Sequence, residues 1–379
     1  GLMLTGKVLK FGAREEKGAS GVIDRAIQRV GEPMVRAALR QAMRIMGFQF
    51  VMGRTIDEAM KRSRSKEHRD YRHSFDMLGE AALTYADAEK YFKAYADAID
   101  AIGRNKGEGF DVFSAPSISV KLSALHPRYE LGNHERVMKE MVPRLRELAE
   151  KAKSHDIALT VDAEEAERLD ISLDVIEAVY RSKSLEGWEG FGLAIQAYQK
   201  RCIRLIDWLV ALSKDVGRRI PVRLVKGAYW DTEIKKFQIE GEQGYPVFTR
   251  KVNTDVSYLA CARKLLGAGD LVYPQFATHN AHTVSSIIEM SQGRKDFEFQ
   301  RLHGMGEELY GEIVGEEKEG FHCRVYAPVG AHKELLPYLV RRLLENGANT
   351  SFVNRIVDEK VPVDEIVADP VAEVENLKI

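Results

Sequence analysis

An α/β fold of the (β/α)8 TIM-barrel type, preceded by a helical arm, is what this sequence predicts, and three observations predict it. From about residue 70, apolar runs of strand length alternate eight times with longer amphipathic stretches. The connections are too long for hairpins, so the strands run parallel, and 66–357 is ample chain for one barrel, which takes about 250 residues. The competing fold, an open doubly wound sheet, usually carries G-x-G-x-x-G after its first strand. The nearest run here, Gly304-Met305-Gly306, lacks the third glycine.

Taken in order, 1–65 is the arm. Its first 19 residues are mixed and glycine-containing, a helix follows over 22–30, and Pro33 suits the first turn of another that runs to about residue 50. Thr55-Ile56-Asp57-Glu58 fits a capping box for a third helix. In the barrel, strands are expected at 73–79, 117–122, 157–162, 191–196, 221–226, 272–278, 297–302 and 322–327. Helices are expected at 86–104, 134–154, 165–182, 199–216, 251–267, 282–291, 306–314 and 332–346. The segment 358–379, acidic and weakly periodic with two prolines, reads as a linker-like tail.

Composition narrows the function classes. Lys+Arg 56 against Asp+Glu 57 leaves a net charge of -1, so bulk electrostatics favour neither nucleic acid nor an anionic membrane. Three cysteines, Cys202, Cys261 and Cys323, lie far apart with no CxxC pair, which suits a reducing compartment. The chain has no apolar run of the roughly 18 residues needed to span a membrane and no signal-peptide core. The expectation is a cytoplasmic protein, with room for peripheral contact at the inner membrane face.

In a barrel of this type the chemistry sits at the C-terminal strand ends. The last polar residues of the expected strands are Glu80, Lys121, Asp162, Gln196, Lys226 and His279, with Arg223 one pleat before Lys226. Lysine and aspartate alternating on neighbouring strands give each charge a nearby partner. The stretch 222–231, VRLVKGAYWD, packs two cations, a glycine turn, two aromatics and a helix start into ten residues. A cation in a buried strand is costly without a partner, so this stretch suits something anionic and flat.

The last expected helix places Tyr338, Arg341, Arg342 and Glu345 on one face, opposite Leu336, Leu339, Val340 and Leu343, and Gly347 supplies a C-cap. Paired arginines beside an aromatic suit bidentate capture of a carboxylate. Metal chemistry is not expected, since the histidines form no HExxH; a serine nucleophile has no G-x-S-x-G turn, and there is no P-loop.

Five runs then carry a resemblance. VRLVKGAYWD at 222–231, SVKLSALHPRY at 119–129, VDAEEAERLD at 161–170, QFATHNAHT at 275–283 and YLVRRLLENGANTSFVNRI at 338–356 resemble the proline dehydrogenase family, in particular the proline dehydrogenase portion of its bifunctional bacterial members. The resemblance extends over 32–357. It implies a distorted barrel that holds FAD non-covalently, oxidises L-proline to Δ1-pyrroline-5-carboxylate and passes electrons to a quinone.

It also implies roles. Asp162 and Arg223 match the active-centre pair, the arginine close to the flavin's reactive nitrogen. Lys121, Arg341 and Arg342 match the residues that hold the proline carboxylate, and Tyr229, Leu302, Tyr326 and Tyr338 match the walls around its ring. Ala163, Gln196, Arg223, Val225, Lys226, Gly227, Ala228, Trp230, Thr249, Thr278, His279, Asn280, Glu345, Ser351 and Phe352 match cofactor contacts. Relatives that prefer hydroxyproline carry a smaller residue in place of Tyr326. Asp162 either orients the substrate amine or supports Arg341. The chain shows neither a ribbon-helix-helix segment nor an aldehyde dehydrogenase domain, so no nucleic-acid partner and no second reaction are expected of it.

Two alternatives come from other classes: a non-redox lyase using Lys121 or Lys226 as a Schiff-base amine, and a proline-sensing module without turnover.

Overall fold

The computed structural model describes residues 47, 49–330, 338 and 368–377. The expected helices at 22–30 and 332–346, with Arg341, Arg342, Glu345, Gly347, Ser351 and Phe352, fall outside them, apart from the single residue Tyr338. Eight parallel strands close into a barrel in chain order: Arg72–Met77 (β1), Ser117–Val120 (β2), Leu159–Val161 (β3), Phe191–Gln196 (β4), Ile220–Val225 (β5), Val272–Ala277 (β6), Glu298–Leu302 (β7) and Cys323–Val329 (β8). The seam is a six-residue parallel register between β1 and β8, from Arg72 opposite Arg324 to Met77 opposite Val329. Every expected strand is present.

The helices follow the strands. Ile56–Ser63 (α1) precedes β1, and its Thr55 hydroxyl accepts from the Glu58 N–H at 3.3 Å, as the capping box requires. The Glu58 carboxylate reaches back to the N–H of Arg54, one residue before the cap. Tyr85–Arg104 (α2), His134–Ser154 (α3), Leu169–Tyr180 (α4) and Cys202–Val216 (α5) follow β1 to β4 in turn. On α3, Val137, Met141, Leu145, Leu148 and Ala152 recur every three or four residues and are buried.

After β5 come two helices, Trp230–Glu240 (α6) and Lys251–Gly267 (α7), where only the second was expected in full. Among α6's side chains only Glu233 is buried, and Ile239 is 76% exposed, so α6 lacks the apolar stripe that advertises a packed helix. Ala281–Ser291 (α8) and the short Glu307–Gly311 (α9) follow β6 and β7. The last described helix, Pro370–Glu375 (α10), lies in the segment read as a tail and packs on α7. Asp369 caps it by accepting from the Val371 N–H at 2.9 Å, with Pro370 at the first position.

Strand residues alternate between the barrel's two faces. Phe75, Val120, Leu159, Val161, Leu193, Ile195, Val222, Leu224, Phe276, Phe299 and Val325 face outward and form the main core with the helices. Phe299 lies among Phe276, Phe297, Tyr310 and Phe321 and is fully buried. Phe299→Ala is expected to cost about 3–5 kcal/mol, from lost transfer energy plus the residual cavity, read as a lower urea midpoint with an unchanged slope. The other face points inward and is polar, unlike the branched apolar layers usual inside such barrels.

Candidate active site

Inward alternation brings a charged cluster to the barrel mouth. Lys121, just past β2, donates to Asp76 of β1 at 2.8 Å and to the Tyr326 hydroxyl of β8 at 3.2 Å, and lies 3.3 Å from Asp162 at the end of β3. Tyr326 donates to the other side of the cluster, Asp162 Oδ2, at 2.6 Å. Arg223 of β5 donates to Asp162 Oδ1 at 2.5 Å, to Ser119 at 3.0 Å and, through Nε, to Gln300 of β7 at 2.7 Å. Its guanidinium carbon lies 5.2 Å from the Tyr326 ring centre. Ser74 and Ser119 share a 2.9 Å hydrogen bond beneath it.

The two carboxyls titrate in opposite directions. Burial disfavours ionised Asp162, but Lys121 and Arg223, with the hydrogen bond from Tyr326, outweigh it and hold the carboxyl below its usual range. At Asp76 burial wins: the charge of Asp162 adds to it, Lys121 offsets it only in part, and the carboxyl is raised. Lys121 loses hydration but gains Asp76, Tyr326 and Asp162, which hold it well above the usual amine range. Burial first, then Asp162 and Asp76, raise Tyr326, which stays a neutral donor. Nearby, the Glu164 carboxyl accepts from the Ser123 N–H at 3.0 Å and is pushed up to about 7 by burial.

Of the strand-end set, Lys121, Asp162 and Arg223 come together as expected, and Tyr326 joins them. Glu80 does not end the first strand, which stops at Met77; the chain turns at Gly79 (φ 147), and Asp76 is the acid that points inward. Lys226 lies outside the cluster and pairs with Asp255 of α7. Gln196 donates to the Glu164 carbonyl at 2.8 Å. Thr278 accepts from the Asn280 N–H, and His279 Nε2 accepts from the Leu302 N–H at 3.0 Å. Asn280 caps α8, Trp230 donates to the Phe248 carbonyl, and Thr249 is exposed. Leu302 packs with buried Tyr338, Phe50, Val51 and Met305. Tyr229 is the N-cap residue of α6; Ala163 and Val225 are half-buried at the rim, and Ala228 is exposed there.

Gly227 sits at φ 138, and a Cβ on it would meet the Tyr198 ring at 2.5 Å, so only glycine lets the chain turn there. The site residues missed from sequence are Asp76, Ser74, Ser119 and Gln300. The signal was present in β1, where Arg72, Ser74 and Asp76 alternate with His73, Phe75 and Met77.

Comparison with known proteins follows the same residues. A family model described as proline dehydrogenase matches residues 59–355. A second, described as the DNA-binding domain of proline dehydrogenase, matches residues 1–50, where no nucleic-acid partner was expected from the sequence. The bifunctional protein PutA of Klebsiella aerogenes is 54% identical over 383 residues, which cover 100% of this chain and 29% of that protein. Proline dehydrogenase 1 of Bacillus subtilis is 28% identical over 324 residues, 84% of this chain and 93% of that one. A crystal structure of a Bradyrhizobium japonicum proline utilization A variant superposes with a TM-score of 0.83 at 55% identity, covering 93% of this chain and 36% of that one. The chain thus spans under a third of the length of the bifunctional relative.

Proposed function

The chain belongs to the proline dehydrogenase family, and on that premise we propose that it oxidises L-proline to Δ1-pyrroline-5-carboxylate with bound FAD, the first step of proline catabolism. The observation that carries the reading is the hydrogen-bonded Lys121–Asp162–Arg223–Tyr326 cluster at the barrel mouth, with Lys121 and Arg223 buried.

The rim above the cluster suits the cofactor. The glycine turn at Gly227 leaves no room for a side chain, and the N-termini of α6 and α8 open at the ends of β5 and β6. Helix N-termini favour phosphate through their unpaired N–H groups. Gln196 ends β4, Lys226 follows β5, and Thr278, His279 and Asn280 follow β6 as candidate contacts, with Ala163 after β3 and Val225, Ala228 and Trp230 about the end of β5. Bound there, FAD would supply a two-electron acceptor, at its N5, for the hydride leaving the proline ring, and a quinone would take the electrons on.

The chain's own groups supply anchoring and polarity. Lys121, 3.3 Å from Asp162, is the described cation placed to meet the substrate carboxylate, and the family resemblance assigns Arg341 and Arg342 to the same carboxylate. Asp162, kept ionised, accepts from the ring amine, which must be neutral for its lone pair to assist departure of the hydride. Tyr326, Leu302, Tyr229 and Tyr338 wall the ring and exclude water. Among the described residues no helix is long and apolar enough to cross a membrane.

The lyase alternative fits poorly. A Schiff-base amine needs a depressed pKa, whereas Lys121 is raised by its carboxylates and Lys226 is paired with Asp255. Purified protein is expected to be yellow and to lose its flavin absorption on anaerobic addition of L-proline. Colourless protein that takes up no flavin overturns the assignment, and a yellow protein that binds proline without bleaching identifies a sensing module.

A further inference from the structure

Arg223 is held from below as well as from the side. Its Nε–H donates to Gln300 Oε1 at 2.7 Å, and the amide of Gln300 donates in turn to Glu298 Oε1 at 2.9 Å. Glu298 is fully buried and accepts from Arg324 at 2.6 and 3.1 Å, from Arg72 at 3.1 Å and from Gln275 at 3.0 Å. A carboxylate only accepts and a guanidinium only donates. The residue between them must accept on one side and donate on the other, so a primary amide fits and its orientation is fixed. The backbone carbonyl of Gln300 also takes the Thr278 N–H, which anchors the strand beneath the rim.

We infer that Gln300 is a positioning residue for the proposed oxidation: locked by Glu298 and Arg324, it fixes the guanidinium of Arg223 so that Nη1 faces Asp162 at the barrel mouth. The inference rests on the proline dehydrogenase reading, because it assigns a consequence to where Arg223 points. The charged groups around Gln300 are Glu298 on its own strand, Arg223 on β5, Arg324 on β8 and Arg72 on β1, with Asp162 of β3 on the far side of Arg223. Any acid at position 300 therefore faces one carboxylate directly.

Two variants test this. Gln300→Met keeps the volume and loses both hydrogen bonds; kcat for L-proline is expected to fall about tenfold or more at every pH, the usual cost of losing a hydrogen bond to a charged group, with KM within about threefold of wild type. Gln300→Glu, when protonated, still donates to Glu298 and accepts from Arg223. Its kcat is expected to approach wild type on the acid side and to fall relative to wild type as pH rises and the new carboxyl ionises. Over the same range the flavin midpoint potential of Gln300→Glu moves negative of wild type, because a carboxylate then offsets the charge of Arg223.

A residue that merely packs would show neither the pH-dependent rescue nor the potential shift. Both variants within twofold of wild type in kcat and unshifted in potential overturn the inference. Wild-type protein that proline does not reduce counts instead against the enzyme reading. In that event a crystal structure of Gln300→Met, or of Gln300→Glu at high pH should the first not fold, decides the geometry alone. A guanidinium displaced from Asp162 supports the inference, and one unmoved overturns it.

Discussion

Arg223→Met is expected to lower kcat/KM for L-proline by about a hundred- to a thousandfold, the range found when one pre-oriented donor is removed from a reacting centre. Among the described residues Arg223 is the one side chain that links Asp162, Gln300 and the Ser74–Ser119 pair, and methionine fills its volume without replacing any of those contacts. The second consequence is a change in pH dependence. In the native protein Lys121 and Arg223 together overcome burial and hold Asp162 below its usual range. That depressed carboxyl contributes stability above its unfolded pKa of about 4, lost as pH falls through the lower folded value. Without Arg223, burial gains ground and the carboxyl rises, so the acid limb of the kcat/KM profile moves toward neutrality. Steady-state kinetics across pH would show both effects; a kcat/KM within threefold of wild type would remove Arg223 from the reacting centre.

Arg324→Leu is expected to produce a large loss of stability, about 3–5 kcal/mol, the cost of stripping one partner from a buried ion pair. Arg324 is 1% exposed, and besides Glu298 it donates to the carbonyls of His73, Ala115 and Phe113 and to the Ser117 hydroxyl. Leucine leaves three carbonyls short of a donor and Glu298 with Arg72 as its remaining cation. Burial opposes ionisation of Glu298, and Arg324 is the first influence holding its carboxyl low. Once that carboxyl rises above its unfolded value of about 4.3, the folded state binds the extra proton, and stability declines as pH increases through the interval between the two values. The variant is therefore expected to be most stable on the acid side, where wild-type Glu298 is losing its contribution. Urea denaturation at several pH values tests this, and parallel pH profiles for the two proteins would refute it.

The outer half of the barrel was legible in the sequence and the inner half only in part. Strand runs such as FGLAIQ and PVRLVK, and helical stripes such as Val137, Met141 and Leu145, write their apolar face plainly, because that face meets the helices. Lys121, Asp162 and Arg223 could be found because they stand at strand ends, where a site is expected. Asp76, Gln300, Glu298 and Arg324 could not be found by that rule. They lie within strands, where a polar residue normally means the solvent face, and apart from the alternation in β1 it is their partners across the barrel that reveal that they point inward. Helix α6 escaped for the opposite reason, since it rides the rim with little to bury. At Pro370 the acidic composition outweighed a helix-start signal, Asp then Pro, that was there to be read.

The polar lining also has a kinetic meaning. The outer core assembles from neighbours in sequence, each strand against the next helix, and such contacts cost little loop closure. The inner bonds join distant partners: Arg72 and Glu298 are 226 residues apart, Arg324 and the Ala115 carbonyl 209, Arg223 and Ser74 149. Each of these joins the first part of the barrel to strands from its second half, so they are expected to form late, as the barrel closes. A half-barrel built from this chain could gather its helices, yet it would leave buried charges without partners and have no reason to stay closed. The guanidinium at the centre of the candidate site meets Asp162, Gln300, Ser74 and Ser119 together only when the ring is shut.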